Sequence, residues 1–100
     1  MNKTKEVLAF IKLFRDMHPE ELCDTFLHGF CYYFAVMLKN RFGGEIYYNP
    51  DQVHFATLIN GHFFDIRGMI TDGSYWYDWK VYQSTNDCSK IVRNCILKYK

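Results

Sequence analysis

The chain has 100 residues and almost no net charge: 12 Lys and Arg against 11 Asp and Glu, or +1 with neutral His. Such a balance offers no electrostatic footprint for nucleic acid or an anionic membrane. Long apolar runs are missing too. The longest, Phe30 to Leu38, falls well short of the roughly 20 residues that span a bilayer. With only 2 Pro and 6 Gly, there is no linker, repeat or low-complexity tract, so residues 1–100 read as a single domain. No C-x-x-C occurs, and no Cys/His spacing of the zinc-finger type, so neither metal nor any other cofactor is expected. A secretory signal is also absent: residues 1–6 are polar, and Lys12 and Arg15 interrupt the apolar segment that follows. These features predict a cytoplasmic chain whose cysteines, at 23, 31, 88 and 95, are free thiols.

What the chain does have is rings. Nine Phe, eight Tyr and two Trp make up 19% of it, with concentrations around 26–34 and 75–82. Charged residues at 23% and apolar residues at 49% are ordinary for a globular domain with a proper core.

Val7, Phe10, Ile11, Phe14 and Met17 recur at the spacing of one buried helix face, which predicts a helix over 3–17. His18-Pro19 ends it, and Pro19-Glu20-Glu21 suits the first turn of a short helix over 19–25. From Gly29 to Phe42 a third helix is predicted, closed by Gly43-Gly44. Its stretch Phe30 to Leu38 has no polar side, so this helix should be central and wrapped all round. A short strand, Glu45 to Tyr48, precedes an Asn49-Pro50-Asp51 turn. His54–Ile59 and His62–Ile66 flank Asn60-Gly61, the signature of a type I′ hairpin, and Gly68 is read as its end. Thr71 to Ser74 reads as a turn, Tyr75 to Tyr82 as extended, and 87–99 as a helix capped by Ser84 or Asn86. Cys88, Ile91, Val92, Cys95, Ile96 and Tyr99 form the apolar stripe of that last helix. Helices followed by a strand meander predict an α+β fold on an antiparallel sheet.

The hairpin fixes a register. With Asn60-Gly61 as its loop, residue 59 pairs with 62 and paired numbers sum to 121, placing His54, Ala56, Leu58, Phe63, Asp65 and Arg67 on one face. His54 and Asp65 are then diagonal neighbours, roughly 7–8 Å apart between backbone positions across the hairpin, and the residue between them on His54's own strand is Ala56. Cys31 stands at the head of the central helix, where free N–H groups and the helix dipole favour an anion. A thiol, an imidazole to share its proton and a carboxylate to orient the imidazole are the parts of cysteine acyl chemistry.

Gly29-Phe30-Cys31 at the head of an apolar helix, Val53-His54-Phe55, and Phe64-Asp65-Ile66-Arg67-Gly68 together resemble the papain-like cysteine-enzyme superfamily, most closely its transglutaminase-like and small bacterial or phage branches. The resemblance covers about residues 29–68. It implies a papain-like fold, with Cys31 as nucleophile, His54 as general base and acid, Asp65 as orienter, and a peptide or protein substrate undergoing amide hydrolysis or transamidation. No Gln precedes Cys31 to complete an oxyanion hole, which leaves His28 and Tyr33 as alternatives.

Plainer roles stand beside these. Cys31 can be a small core residue, and Asp65 can simply pair with Arg67. His62 falls on the opposite face from His54. Tyr75, Trp76, Tyr77 and Trp79 can line a substrate groove, since rings combine stacking area with polar handles, or they can cover a sheet face. A different class of function also fits: a non-catalytic binding protein on the same scaffold, such as a small phage or mobile-element protein gripping a host factor through Trp76, Tyr77 and Trp79. Oligomeric state is left open.

Overall fold

The computed structural model describes residues 3–21, 23, 31–71 and 73–91. Helix α1 spans Lys3–Asp16 and helix α2 spans Cys31–Phe42. Strands follow at Glu45–Asn49 (β1), His54–Ile59 (β2), His62–Asp65 (β3), Gly68–Ile70 (β4) and Tyr77–Asp78 (β5). Helix α3 covers Trp79–Thr85, and a helical turn, α4, covers Ser89–Ile91. The sheet order is β4-β3-β2-β1-β5 and every pairing is antiparallel. This is the α+β architecture the sequence predicts.

Alternation along the strands decides where the core sits. Ile59, Phe64 and the following Ile66 meet Val7 and Ile11 of α1 and Phe34 and Leu38 of α2. A second cluster joins Cys31 and Ala35 of α2 to Tyr48, Phe55, Trp79 and Cys88. Each fully buried side chain of this size contributes about 1.5–3 kcal/mol by leaving water. As predicted, α2 is central: no residue from Cys31 to Lys39 is exposed.

The β2–β3 hairpin has the predicted register, with Ile59 opposite His62 and Thr57 opposite Phe64. Asn60 and Gly61 have φ of 54° and 82°, the left-handed pair that a type I′ turn demands. At the end of α2, Gly43 N–H donates to the Lys39 carbonyl at 2.8 Å. Gly44 is required by space as well as by conformation: at φ +92°, a Cβ there would lie 2.2 Å from the Leu58 carbonyl oxygen.

Other expectations need correction. Met17 is exposed, because α1 stops at Asp16 and leaves it past the buried face. Gly68 lies past the β2–β3 hairpin it is read as ending, which closes at Asp65. It pairs with Asp65 across the Ile66-Arg67 turn and opens β4, an edge strand too short to show alternation in sequence. The segment 75–82 is not extended throughout: only Tyr77 and Asp78 are strand, and α3 begins at Trp79. Asp78 starts that helix as its N-cap, with Oδ1 accepting from Lys80 N at 2.9 Å. Asn86 closes α3, its backbone N–H and its Nδ2 both donating to the Tyr82 carbonyl, rather than capping the next helix.

Of the short helix expected over 19–25, Glu20, Glu21 and Cys23 are helical, and Cys23 N–H donates to Pro19 O at 3.1 Å. Pro19 itself is not helical, and Leu22, Asp24 and Thr25 lie outside the described residues. So do His28, the Gly29-Phe30 head of the central helix, and residues 92–99 with Val92, Cys95, Ile96 and Tyr99.

Candidate active site

His54 is the first residue of β2, and the turn before it is tightly built. Asn49, the last residue of β1, stands opposite His54 in the ladder. Its Oδ1 accepts from Asp51 N at 3.0 Å and Gln52 N at 3.1 Å, the Asx-type closure that favours Asn at such corners. Val53 completes the turn at φ +49°, a left-handed conformation that a β-branched residue rarely adopts. Strained backbone of this kind concentrates where neighbouring structure dictates the geometry.

His54 Nε2 lies 2.7 Å from Asp65 Oδ2, so the diagonal predicted across the hairpin is the short one. Both residues are buried, at 5% and 3% exposure. Arg67 holds the same carboxylate. Its backbone N–H donates to Oδ1 at 2.8 Å, its Nε to Oδ2 at 3.0 Å, and its Nη2 to Oδ2 at 2.6 Å. The pairing of Asp65 with Arg67, weighed as an alternative to a role beside His54, therefore coexists with it.

Cys31 reaches the imidazole from α2. Burial alone would strip His54 of its proton, but the hydrogen bonds with Asp65 and with Cys31, and the negative charge each partner can carry, outweigh it and raise the pKa from 6.5 to about 9. Asp65 moves the other way: burial works to raise its pKa, and hydrogen bonds from His54 and Arg67 bring it below the ordinary carboxylate value. The structure thus joins His54 and Asp65 directly, with the buried Cys31 near enough to act on the imidazole's charge.

Cys31 is 3% exposed and belongs to the core cluster that holds Tyr48, Phe55, Trp79 and Cys88. Cys23 and Cys88 are also free, and burial beside Asp87 pushes the Cys88 thiol up.

The aromatic candidates part company here. Trp76 is half-buried, stacked on Phe63 at 5.4 Å between centroids and edge-on to His54 at 6.1 Å. Trp79 belongs to the core, T-shaped against Phe55 at 4.9 Å, and also lines a cleft of about 300 Å³ with Tyr32, Ile46 and Gln83. Tyr75 and Tyr77 are exposed. Tyr77 also borders a cleft of about 490 Å³ with Pro50, Val81 and Tyr82.

His62 is exposed on the face away from His54, as the register requires. His18 Nδ1 sits 2.6 Å from the Phe14 carbonyl. Among the described residues no His, Cys, Asp and Glu cluster could hold a metal. Sequence reasoning placed Asn49 in a turn but missed its position opposite His54 and the contact of Trp76 with His54. Asn-Pro-Asp marks the Asx turn, but nothing local places Trp76 over the hairpin.

Among the described residues no helix is long and apolar enough to cross a membrane. No curated protein and no solved structure shows significant similarity to the chain. A family model described as Phage YunG-like protein, however, matches residues 10–97, a span that contains Cys31, His54 and Asp65. The match covers most of the chain, which therefore belongs to the Phage YunG-like protein family.

Proposed function

We propose that the protein is a thiol-dependent acyl-transfer enzyme of papain-like type, acting on an amide of a peptide or protein. One observation carries the reading: a buried imidazole whose Nε2 lies 2.7 Å from a buried carboxylate, with the buried Cys31 close enough to act on its charge. In the proposed reaction, the Cys31 sulfur attacks the amide carbonyl carbon and His54, as imidazolium, gives its proton to the leaving amine nitrogen. The C–N bond breaks and a thioester forms. Water, or an amine in transamidation, then attacks the thioester while His54 takes up its proton. The sulfur leaves as thiolate, and the imidazolium is restored. Asp65 keeps the ring oriented and stabilises its positive charge. Because thiol and imidazole are nearly enclosed, substrate entry requires neighbouring side chains to move.

Alkylation of Cys31 against pH tests the reading, site-resolved by mass spectrometry. Cys31 labels faster than Cys88, and His54→Ala slows it. Cys88, whose thiol is pushed up, is the internal control. Labelling of Cys31 no faster than Cys88 would remove the triad. Cys31→Ala then abolishes activity with the fold intact, and an active variant removes the nucleophile.

A second reading has its own support: the enclosed thiol and the exposure of Tyr75, Tyr77 and Val81 fit a non-catalytic binding protein. Under that reading Tyr75→Ser with Tyr77→Ser abolishes partner binding, whereas Cys31→Ala leaves it intact.

A further inference from the structure

Asp65 Oδ2 is crowded. It accepts from His54 Nε2 at 2.7 Å, from Arg67 Nη2 at 2.6 Å and from Arg67 Nε at 3.0 Å. Nε also reaches Oδ1, at 3.3 Å, and the Arg67 backbone N–H closes the turn onto Oδ1 at 2.8 Å. The carboxylate side chain is 4% exposed and the Arg67 side chain 47%. A cation on the protein's rim is therefore hydrogen-bonded to the very oxygen that holds the buried imidazole.

We propose that Arg67 is a positioning residue of the site: by sharing Asp65 Oδ2 with His54, it pins the carboxylate and limits how tightly that carboxylate retains the imidazole's proton. The function rests on the acyl-transfer reading, in which His54 must give a proton in one half-reaction and take one in the next. A group that binds its proton too tightly takes one up readily but fails to give it to the leaving amine. An unshared, desolvated carboxylate would hold an imidazolium strongly, because little water competes for the charge. Arg67 draws electron density from the shared oxygen and adds a like charge to that of the imidazolium. The local geometry comes from a tight turn: Asp65, Ile66, Arg67 and Gly68 reverse the chain between β3 and β4, so the residue two after the carboxylate necessarily folds back beside it.

Among the described residues the groups facing His54 are few. Asp65 comes from β3, Cys31 from α2, and Arg67 stands behind Asp65. Asn49 of β1 and Trp76 are its neutral neighbours. Removing the guanidinium therefore has one expected electrostatic direction, toward protonated His54.

The test is the His54 titration followed by imidazole NMR in the full chain, comparing wild type, Arg67→Met and Arg67→Lys. Arg67→Met keeps the backbone bond to Oδ1 and most of the stem. It should move the His54 transition up by about half a pH unit or more, roughly threefold in the proton equilibrium. Arg67→Lys keeps the charge without the planar fork and should give a smaller rise. A transition that stays in place or falls in Arg67→Met overturns the proposal. This readout does not depend on thiol reactivity, so an unreactive Cys31 would defeat the acyl-transfer reading alone, and an unmoved titration would defeat the Arg67 role alone.

Discussion

Thr57 of β2 donates its hydroxyl to the Ala35 carbonyl of α2 at 2.8 Å, with both residues buried. Ala35 lies one helical turn after Cys31, and Thr57 lies on the same strand as His54. The bond therefore ties the helix that carries the thiol to the strand that carries the imidazole.

Thr57→Val keeps the shape and removes that tie. Ala35 O retains its place in the helix ladder, so no carbonyl is orphaned and the cost should be about 1 kcal/mol. Urea denaturation measures it. A loss within about 0.2 kcal/mol of zero would show that packing alone docks α2 on β2.

Stability should be bounded by pH on both sides. His54 is raised from 6.5 to about 9, so its contribution is complete below its unfolded pKa and fades as pH climbs through about 9. Asp65 is lowered, so its contribution is present above the ordinary carboxylate range and is lost as acid protonates the folded state. Melting temperature against pH should be highest between roughly 4 and 6.5 for these two groups, falling toward pH 9. His54→Gln should flatten the alkaline fall. An alkaline limb that persists unchanged in that variant would assign it to other groups.

The backbone offers opposite tests at two left-handed positions. Val53, at φ +49° and 50% exposed, gives up little packing when changed to Gly. Val53→Gly should stabilise by roughly 0.5–1 kcal/mol, since relief of the left-handed strain exceeds the added unfolded-state entropy. Gly44→Ala should cost on the order of 2–3 kcal/mol, from the left-handed conformation and the close Leu58 carbonyl together. Thermal melts that rank the two variants in the reverse order would contradict both backbone assignments.

Aromatic substitutions should separate packing from surface. Trp79→Ala empties a core site and should cost about 3–5 kcal/mol. Tyr75, at 81% exposure, should tolerate Ser within about 0.5 kcal/mol either way. A mild Trp79→Ala would put that ring outside the core.

Much of this protein is legible without coordinates, wherever the deciding interaction is local. Asn60-Gly61 determines the hairpin turn and hence the register that sets His54 diagonal to Asp65. The polar-free stretch after Cys31 determines a central helix, and Gly43-Gly44 its end. Where a local signal was outweighed, as at 75–82, alternating rings suggested a strand while the Asp78 cap and the burial of Trp79 produced a helix.

Tertiary structure decided the rest, because it concerns groups far apart in the chain. Strand twist chose which diagonal of the hairpin closes to a hydrogen bond. Docking of α2 brought Cys31 to His54, and packing put Trp79 inside the core while Tyr75 stayed in solvent. The crowding of Asp65 Oδ2 belongs to both levels. A two-residue turn returns Arg67 to the carboxylate locally, and only the folded sheet delivers the imidazole to the same oxygen.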